Sequence, residues 1–235
     1  MSQKVPSIYP RYIKDMKTII GIDLSLNSTG ICILRDNTIN LVSVFKTENN
    51  IDKIFTRNDH FTLLNECKEL KMILKNKEVD KSKEYHIRER EKITNFISLA
   101  TEIKEAIIES IKNDEEVYIA MEGISFGSPG NSLIDISMLT GILRSEILKI
   151  LGNDSGRFFV FSPTAIKKFA GKGNFKKIEM YDSLCNQESS NSDFITLIKE
   201  KKEMMVTKGG TVKKPTEDII DSIWVAKFLK SELEK

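Results

Sequence analysis

Residues 17–24, KTIIGIDL, constrain this chain more than any other part of it. The apolar run is typical of a buried strand, yet it ends on a carboxylate, Asp23, between Ile22 and Leu24. An ionised carboxylate in that setting is costly unless a cation or hydrogen bonds compensate. A second strand repeats the situation. Residues 116–121, EVYIAM, carry no charge after Glu116 until the strand ends at Glu122, and Gly123 behind it permits close approach of backbone or substrate. Taken singly, Asp23 also reads as a cap on the turn at 26–30, and Glu122 as a solvated strand-end residue.

The segments around these two acids alternate between strand and helix. ICILR (31–35) and INLVSVF (39–45) flank Asp36-Asn37-Thr38 as a hairpin. Ile93, Phe96, Ile97, Ala100, Ile103, Ile107 and Ile111 recur at helical spacing and predict a helix over 89–112 with one apolar face. A second helix is predicted over 131–151, with Leu133, Ile136, Leu139, Leu143 and Ile147 inward. RFFVF (157–161) is a fifth strand, which Ser162-Pro163 stops while starting a helix. Two helical segments over 164–187 are split by AGKGN, and a last helix spans 216–231. The order predicts an α/β fold: a mixed five-stranded sheet, antiparallel hairpin strands plus parallel strands, flanked by helices. One domain is expected over 17–235, with residues 1–16 as an N-terminal extension and charged insertions at about 46–88 and 188–214. Sites in such sheets tend to lie at the carboxyl ends of parallel strands, where Asp23 and Glu122 fall.

Asp218 and Asp221 stand three residues apart near the start of the last helix, a spacing that puts both on one face. Attraction to the helix dipole is a sufficient reason for Glu217 and Asp218. It is a poorer one for Asp221, which sits among Ile219, Ile220 and Ile223 on the packing side. Four carboxylates on adjacent elements repel one another in low dielectric without a metal. Hard oxygen ligands suit Mg²⁺, with Mn²⁺ able to substitute. Two ions per active site, roughly 3.5–4 Å apart, would activate a water and stabilise the leaving oxygen in phosphodiester hydrolysis. Asp23, Glu122, Asp218 and Asp221 are therefore the expected catalytic and metal-binding residues.

These segments, in this order, resemble the RuvC-like Holliday junction resolvases, a family of the RNase H-like superfamily. GIDLSLNSTG (21–30) is similar to that family's opening motif, and IAMEGISFG (119–127) to its second, with Glu122 as the acid. SLIDISMLTGILRSEIL (132–148) is similar to the helix that follows. FSPTAIKKFAGKGNFKKIEM (161–180) is similar to the Lys-containing Gly-x-Gly segment, and EDIIDSIWVAKFL (217–229) to the closing helix. The resemblance implies an RNase H-like fold, a homodimer with two active sites on opposite strands of a four-way junction, and paired nicks with ligatable ends. It also places phosphate-contacting or catalytic lysines at Lys167 and Lys177. The turn Leu-Ser-Leu-Asn after Asp23 departs from the commoner motif, and SFGSPGNS is closer to phage and viral relatives, so cellular or viral origin stays open.

Net charge is only +2, so affinity for DNA has to come from local clustering. Lys167, Lys172, Lys176 and Lys177 crowd the Gly171–Gly173 segment and are the expected DNA contacts, with Phe126 in the loop after Glu122 as a wedge or stacking residue. A solvated helix pair and a loop aromatic packed on its own domain are the plainer readings. Lys199, Lys201, Lys202, Lys208, Lys213 and Lys214 form a second basic region, either a DNA-tracking segment or a mobile loop. Three cysteines, odd in number and without a C-x-x-C pair, give no support for a zinc knuckle or a disulfide framework. The longest apolar stretches are too short to span a bilayer, and the N-terminus lacks a signal-peptide core. A cytoplasmic protein is expected (host cytoplasm if virus-encoded), without membrane or small-molecule cofactor. Three rivals remain: a related nuclease acting on other branched DNA or hybrids, a non-catalytic nucleic-acid-binding module, and an actin/Hsp70-type ATPase. The last needs a second glycine-rich phosphate loop that the sequence lacks. His60 and His86 show no partner pattern.

Overall fold

Side chains alternate across a strand, and this alternation sorts the molecule into layers. In β1 (Lys17–Asp23), Ile20 and Ile22 enter one core layer and Ile19 the other. β2 (Ser28–Arg35) divides likewise, Ile31 and Ile33 against Cys32 and Leu34. Both strands are buried on both faces and need cover on both. The structure, a computed structural model, describes residues 17–36, 38–47, 51, 54–55, 59–76, 82–111, 116–124, 130–187 and 192–235. The proposed extension 1–16 lies outside them.

The remaining strands are β3 (Thr38–Thr47), β4 (Leu70–Asn76), β5 (Glu116–Glu122) and β6 (Phe158–Phe161). They form one sheet in the order β4-β3-β2-β1-β5-β6. β2 is antiparallel to both β1 and β3, whereas β5 runs parallel to β1, and β6 parallel to β5. This is the mixed, helix-flanked sheet that the order of elements predicts, with one strand more than expected. The sixth is β4, parallel to β3, from the segment read as an insertion.

One face is covered by α2 (Tyr85–Ser110) and α3 (Gly130–Ile150). The other is covered chiefly by α8 (Thr216–Leu233), with α4 (Pro163–Ala170), α5 (Lys177–Gln187), α6 (Asp193–Glu200) and α7 (Lys202–Met205) around it. The short α1 (Asp59–Glu66) buries Leu64 on that same side, and its buried Phe61 packs on Phe45 of β3. Ser162 begins α4 as expected: its side chain accepts from the Ala165 N–H at 3.2 Å, and Pro163 occupies the first turn.

Two expectations about packing need correction. The stripe on α2 is Phe96, Leu99, Ala100, Ile103, Ala106 and Ile107, whereas Ile93 and Ile97 are 41% and 52% exposed. The helix also starts earlier than predicted, at Tyr85, and leaves Ile111 as its C-cap. Residues 192–214 are not a mobile loop. Phe194, Ile195, Ile198, Met205 and Val212 are buried in the α8-side core, and Val206 bridges Val212.

Candidate active site

The same alternation decides where the acids go. Asp23 follows Ile19 by two pleats, and Glu122 follows Ala120 by one, so both share the face that α8 covers. They stand side by side because β1 and β5 are parallel neighbours in which Ile22 is opposite Met121. Beyond Asp23 the chain turns through Ser25, whose hydroxyl donates to the Ser28 carbonyl at 2.7 Å and accepts from the Ser28 N–H at 3.0 Å.

α8 reaches these strands closely because two glycines leave room. A Cβ on Gly30 would come within 2.1 Å of the Asp218 carbonyl oxygen, and one on Gly21 within 2.4 Å of the Ala226 nitrogen and the Ser222 oxygen. The helix thus lies backbone-on-backbone over β1 and β2. Asp218 and Asp221 on its first two turns are buried, and Asp23, Glu122, Asp218 and Asp221 come together at one end of the sheet.

Their electrostatics show how near they are. Burial raises the Asp23 carboxyl well above its ordinary value, and Asp221, Asp218 and Glu122 push it further, with Lys177 opposing. Burial and Asp221 push Glu122 up to about 7 against Lys177 and Lys167. Asp218 and Asp221 are raised by burial against Lys214 and Lys177 respectively. The two lysines are direct partners. Lys177 Nζ donates to Asp221 Oδ2 and lies 3.3 Å from Glu217. Lys214 Nζ donates to Asp218 Oδ1 at 2.8 Å. Burial works against the charge on Lys177, but Asp221, Asp23 and Glu217 outweigh it and hold its pKa above the ordinary value.

The donor set fits a hard divalent cation: all-oxygen, anionic and self-repelling. Asp218 Oδ2 is buried without a hydrogen-bond partner. The nearby Ser28 hydroxyl favours the charged carboxylate but does not complete a hydrogen bond to it. Among the described residues, no three His, Cys, Asp or Glu side chains are gathered round one point in metal-holding geometry. Lysines neutralise two of the acids instead. A cleft of about 330 Å³ opens beside Asp23 and Glu122, between the 24–27 turn and Ser132, Ile136 and Thr140 of α3.

Of the basic residues expected here, Lys177 and Lys167 are at the site. Lys172 and Lys176 lie on the exposed segment before α5, and the Lys176 N–H donates to Glu179 at 2.7 Å as a cap. Phe126 lies outside the described residues. Lys214 and Glu217 belong to the site although the sequence reading did not place them there. The four-residue spacing of Lys214 and Asp218 is a signal that could have found the first.

No protein-family model matches the chain, and no curated protein does. Among solved structures it is similar to Thermus thermophilus RuvC, with 9% identity and a TM-score of 0.47, covering 92% of this chain and 96% of that one. It is similar to T. thermophilus RuvC in complex with a Holliday junction substrate, again with 9% identity and a TM-score of 0.47, covering 89% and 90%. A third is the yeast mitochondrial Holliday junction resolvase Ydc2, with 14% identity and a TM-score of 0.47, covering 90% and 78%.

Proposed function

We propose that this chain is a divalent-metal-dependent endonuclease that resolves four-way DNA junctions by paired nicks. The observation that carries the reading is the convergence of Asp23, Glu122, Asp218 and Asp221, from two parallel strands and one helix, beside an open cleft. The ordered motifs supply the substrate class. Likeness to structures as distant as these carries no activity over to this chain.

In this reading Asp23 and Glu122 hold Mg²⁺, and Asp218 and Asp221 complete its shell or orient the attacking water. The bound cations supply Lewis acidity and a more acidic water for phosphodiester hydrolysis. Lys177 and Lys214 keep the acids compatible with the fold until then. Once freed from Asp221, the Lys177 ammonium is available to a non-bridging phosphate oxygen. Lys167 faces the Glu122 side of the site, and Lys172 and Lys176 extend the basic surface. A homodimer places two such sites on opposite strands.

The two lysine–carboxylate pairs favour a second reading, a nucleic-acid-binding module whose acids need no metal. Cleavage of a labelled four-way junction separates the two, run against duplex, flap and hybrid substrates with Mg²⁺, Mn²⁺ or chelator. Metal-dependent paired nicks support the resolvase. Metal-dependent cutting of the other substrates alone keeps the nuclease and changes its target. Binding without cutting in any metal supports the module.

A further inference from the structure

His60 comes from the segment that reads as a charged insertion, yet it ends up 3% exposed against the helix that carries two of the acids. Its Nε2 lies 2.8 Å from Thr216 Oγ1, across 156 residues of sequence. Thr216 is fully buried, opens α8 and stands two residues before Asp218. Its hydroxyl donates to Met205 Sδ at 3.5 Å. A threonine hydroxyl has one proton to give. The imidazole nitrogen and the hydroxyl share one hydrogen bond, in which the tautomer of the ring sets which of the two donates. A neutral ring suffices, and burial and Lys213 push His60 down to about 4.

The ring is itself held in place. It packs edge-on against Phe61, with centroids 5.6 Å apart, and Phe61 lies 5.1 Å from Phe45 on β3. The chain from the sheet through Phe61 and His60 to Thr216 therefore fixes the first turn of α8. Rotation of that turn would carry the Asp218 carboxylate with it. Gly30 and Gly21 set how far the helix stands from the sheet; the His60–Thr216 bond fixes its starting residue.

We propose that His60 is a positioning residue for the carboxylate site: through Thr216 it holds the first turn of α8 so that Asp218 and Asp221 present their oxygens toward Asp23. This rests on reading those acids as metal-binding. It gives residues 59–66 a task in the site, although none of them reaches it.

The test compares His60→Phe, which keeps the ring volume and loses the hydrogen-bonding nitrogen, with His60→Gln, whose amide can donate or accept in its place. Thr216→Val removes the hydroxyl at constant shape. Three measurements are made: Mn²⁺ binding by electron paramagnetic resonance, junction cleavage split into kcat and KM, and hydrogen exchange of the α8 amides. Supporting positions in metal sites typically carry about 10–100-fold in affinity or activity. His60→Phe and Thr216→Val should each weaken Mn²⁺ binding and lower kcat in that range, with KM for junction unchanged. The double variant should be no worse than either single one, and His60→Gln should be restored toward wild type. Exchange should rise over the first two turns of α8 and not over its last two. Wild-type Mn²⁺ binding and exchange in folded His60→Phe, or losses that add in the double variant, would overturn the proposal. If wild type neither binds Mn²⁺ nor cuts, the nuclease reading fails, and exchange alone decides whether His60 positions α8. Should His60→Phe not fold, Thr216→Val and His60→Gln carry the same comparison.

Discussion

Two lysines set against two buried acids govern how this site behaves without a cation. Removing charge from Asp23 or Glu122 leaves those pairs in place, so Asp23→Asn and Glu122→Gln should fold and bind junction while losing cleavage. Gel-shift and nicking assays on one substrate check this, and parallel loss of binding would argue against a purely catalytic role. Proton linkage gives a second expectation. Glu122 moves from an ordinary 4.5 to about 7 on folding. Between those values the folded chain holds a proton that the unfolded chain has released, so this contribution to stability is present below about pH 4.5 and lost as the pH rises through about 7. The other three acids shift the same way. Melting temperatures of chelated protein should therefore fall between about pH 5 and pH 8. The fall should be shallower in Glu122→Gln and should shrink when Mg²⁺ is added. Asp23 and Glu122 were legible as site residues because each interrupts an uncharged apolar run. His60 was not, because its partner is remote in sequence and nothing near it in the chain hints at a pairing.

At the scale of elements, the seat of α8 on β1 and β2 is the most sensitive joint. Overfilling a packed interface costs about 1–3 kcal/mol, and here a new methyl would meet backbone, which cannot rotate away. Gly30→Ala should lower the unfolding free energy by at least that amount. It should also reduce cleavage more than it reduces folding, because the atom it strikes belongs to Asp218. Urea unfolding beside nicking rates measures both, and equal effects on the two would remove Gly30 from the site's geometry. Helix α8 itself was readable from the apolar spacing of Ile219, Ile220, Ile223, Ala226 and Leu229, and all five are buried. Strand β4 was not readable. LKMILKN mixes lysines into a short apolar run because it is an edge strand with charges facing solvent, where Lys71 and Lys75 pair with Glu109 and Glu102 of α2. Lysines on an edge are a common guard against strand addition, and they also hide the strand's period. Helices α6 and α7 were hidden because each is short, eight and four residues, and a lysine-rich stretch surrounds them.

For the whole molecule, a net charge of +2 makes binding depend on where the lysines lie. Lys172 and Lys176 are exposed, and the lysines that act on the four acids are Lys167, Lys177 and Lys214. Changing Lys172 and Lys176 to alanine should therefore weaken junction binding without altering Mn²⁺ affinity. For every phosphate left unneutralised, the slope of log K against log salt should become shallower by about 0.9. An unchanged slope would take the segment out of the DNA footprint. Changing Lys177 should affect both measurements, because it also neutralises Asp221. Paired nicking further requires two copies on one junction, which sedimentation of the DNA complex tests directly. A single copy bound would exclude the symmetric mechanism.

The seating of α8 across the two earliest strands has a consequence in time. Asp218 is made 195 residues after Asp23 (218 − 23), roughly 10–40 s later at about 5–20 residues per second. Throughout that interval the nascent chain carries β1 and β2 without the helix that lies directly on them, and with only part of its acid set. Transiently exposed apolar faces of this kind are what make a nascent chain prone to aggregate, and in the proposed nuclease reading the acid set is completed by the same helix that buries that face.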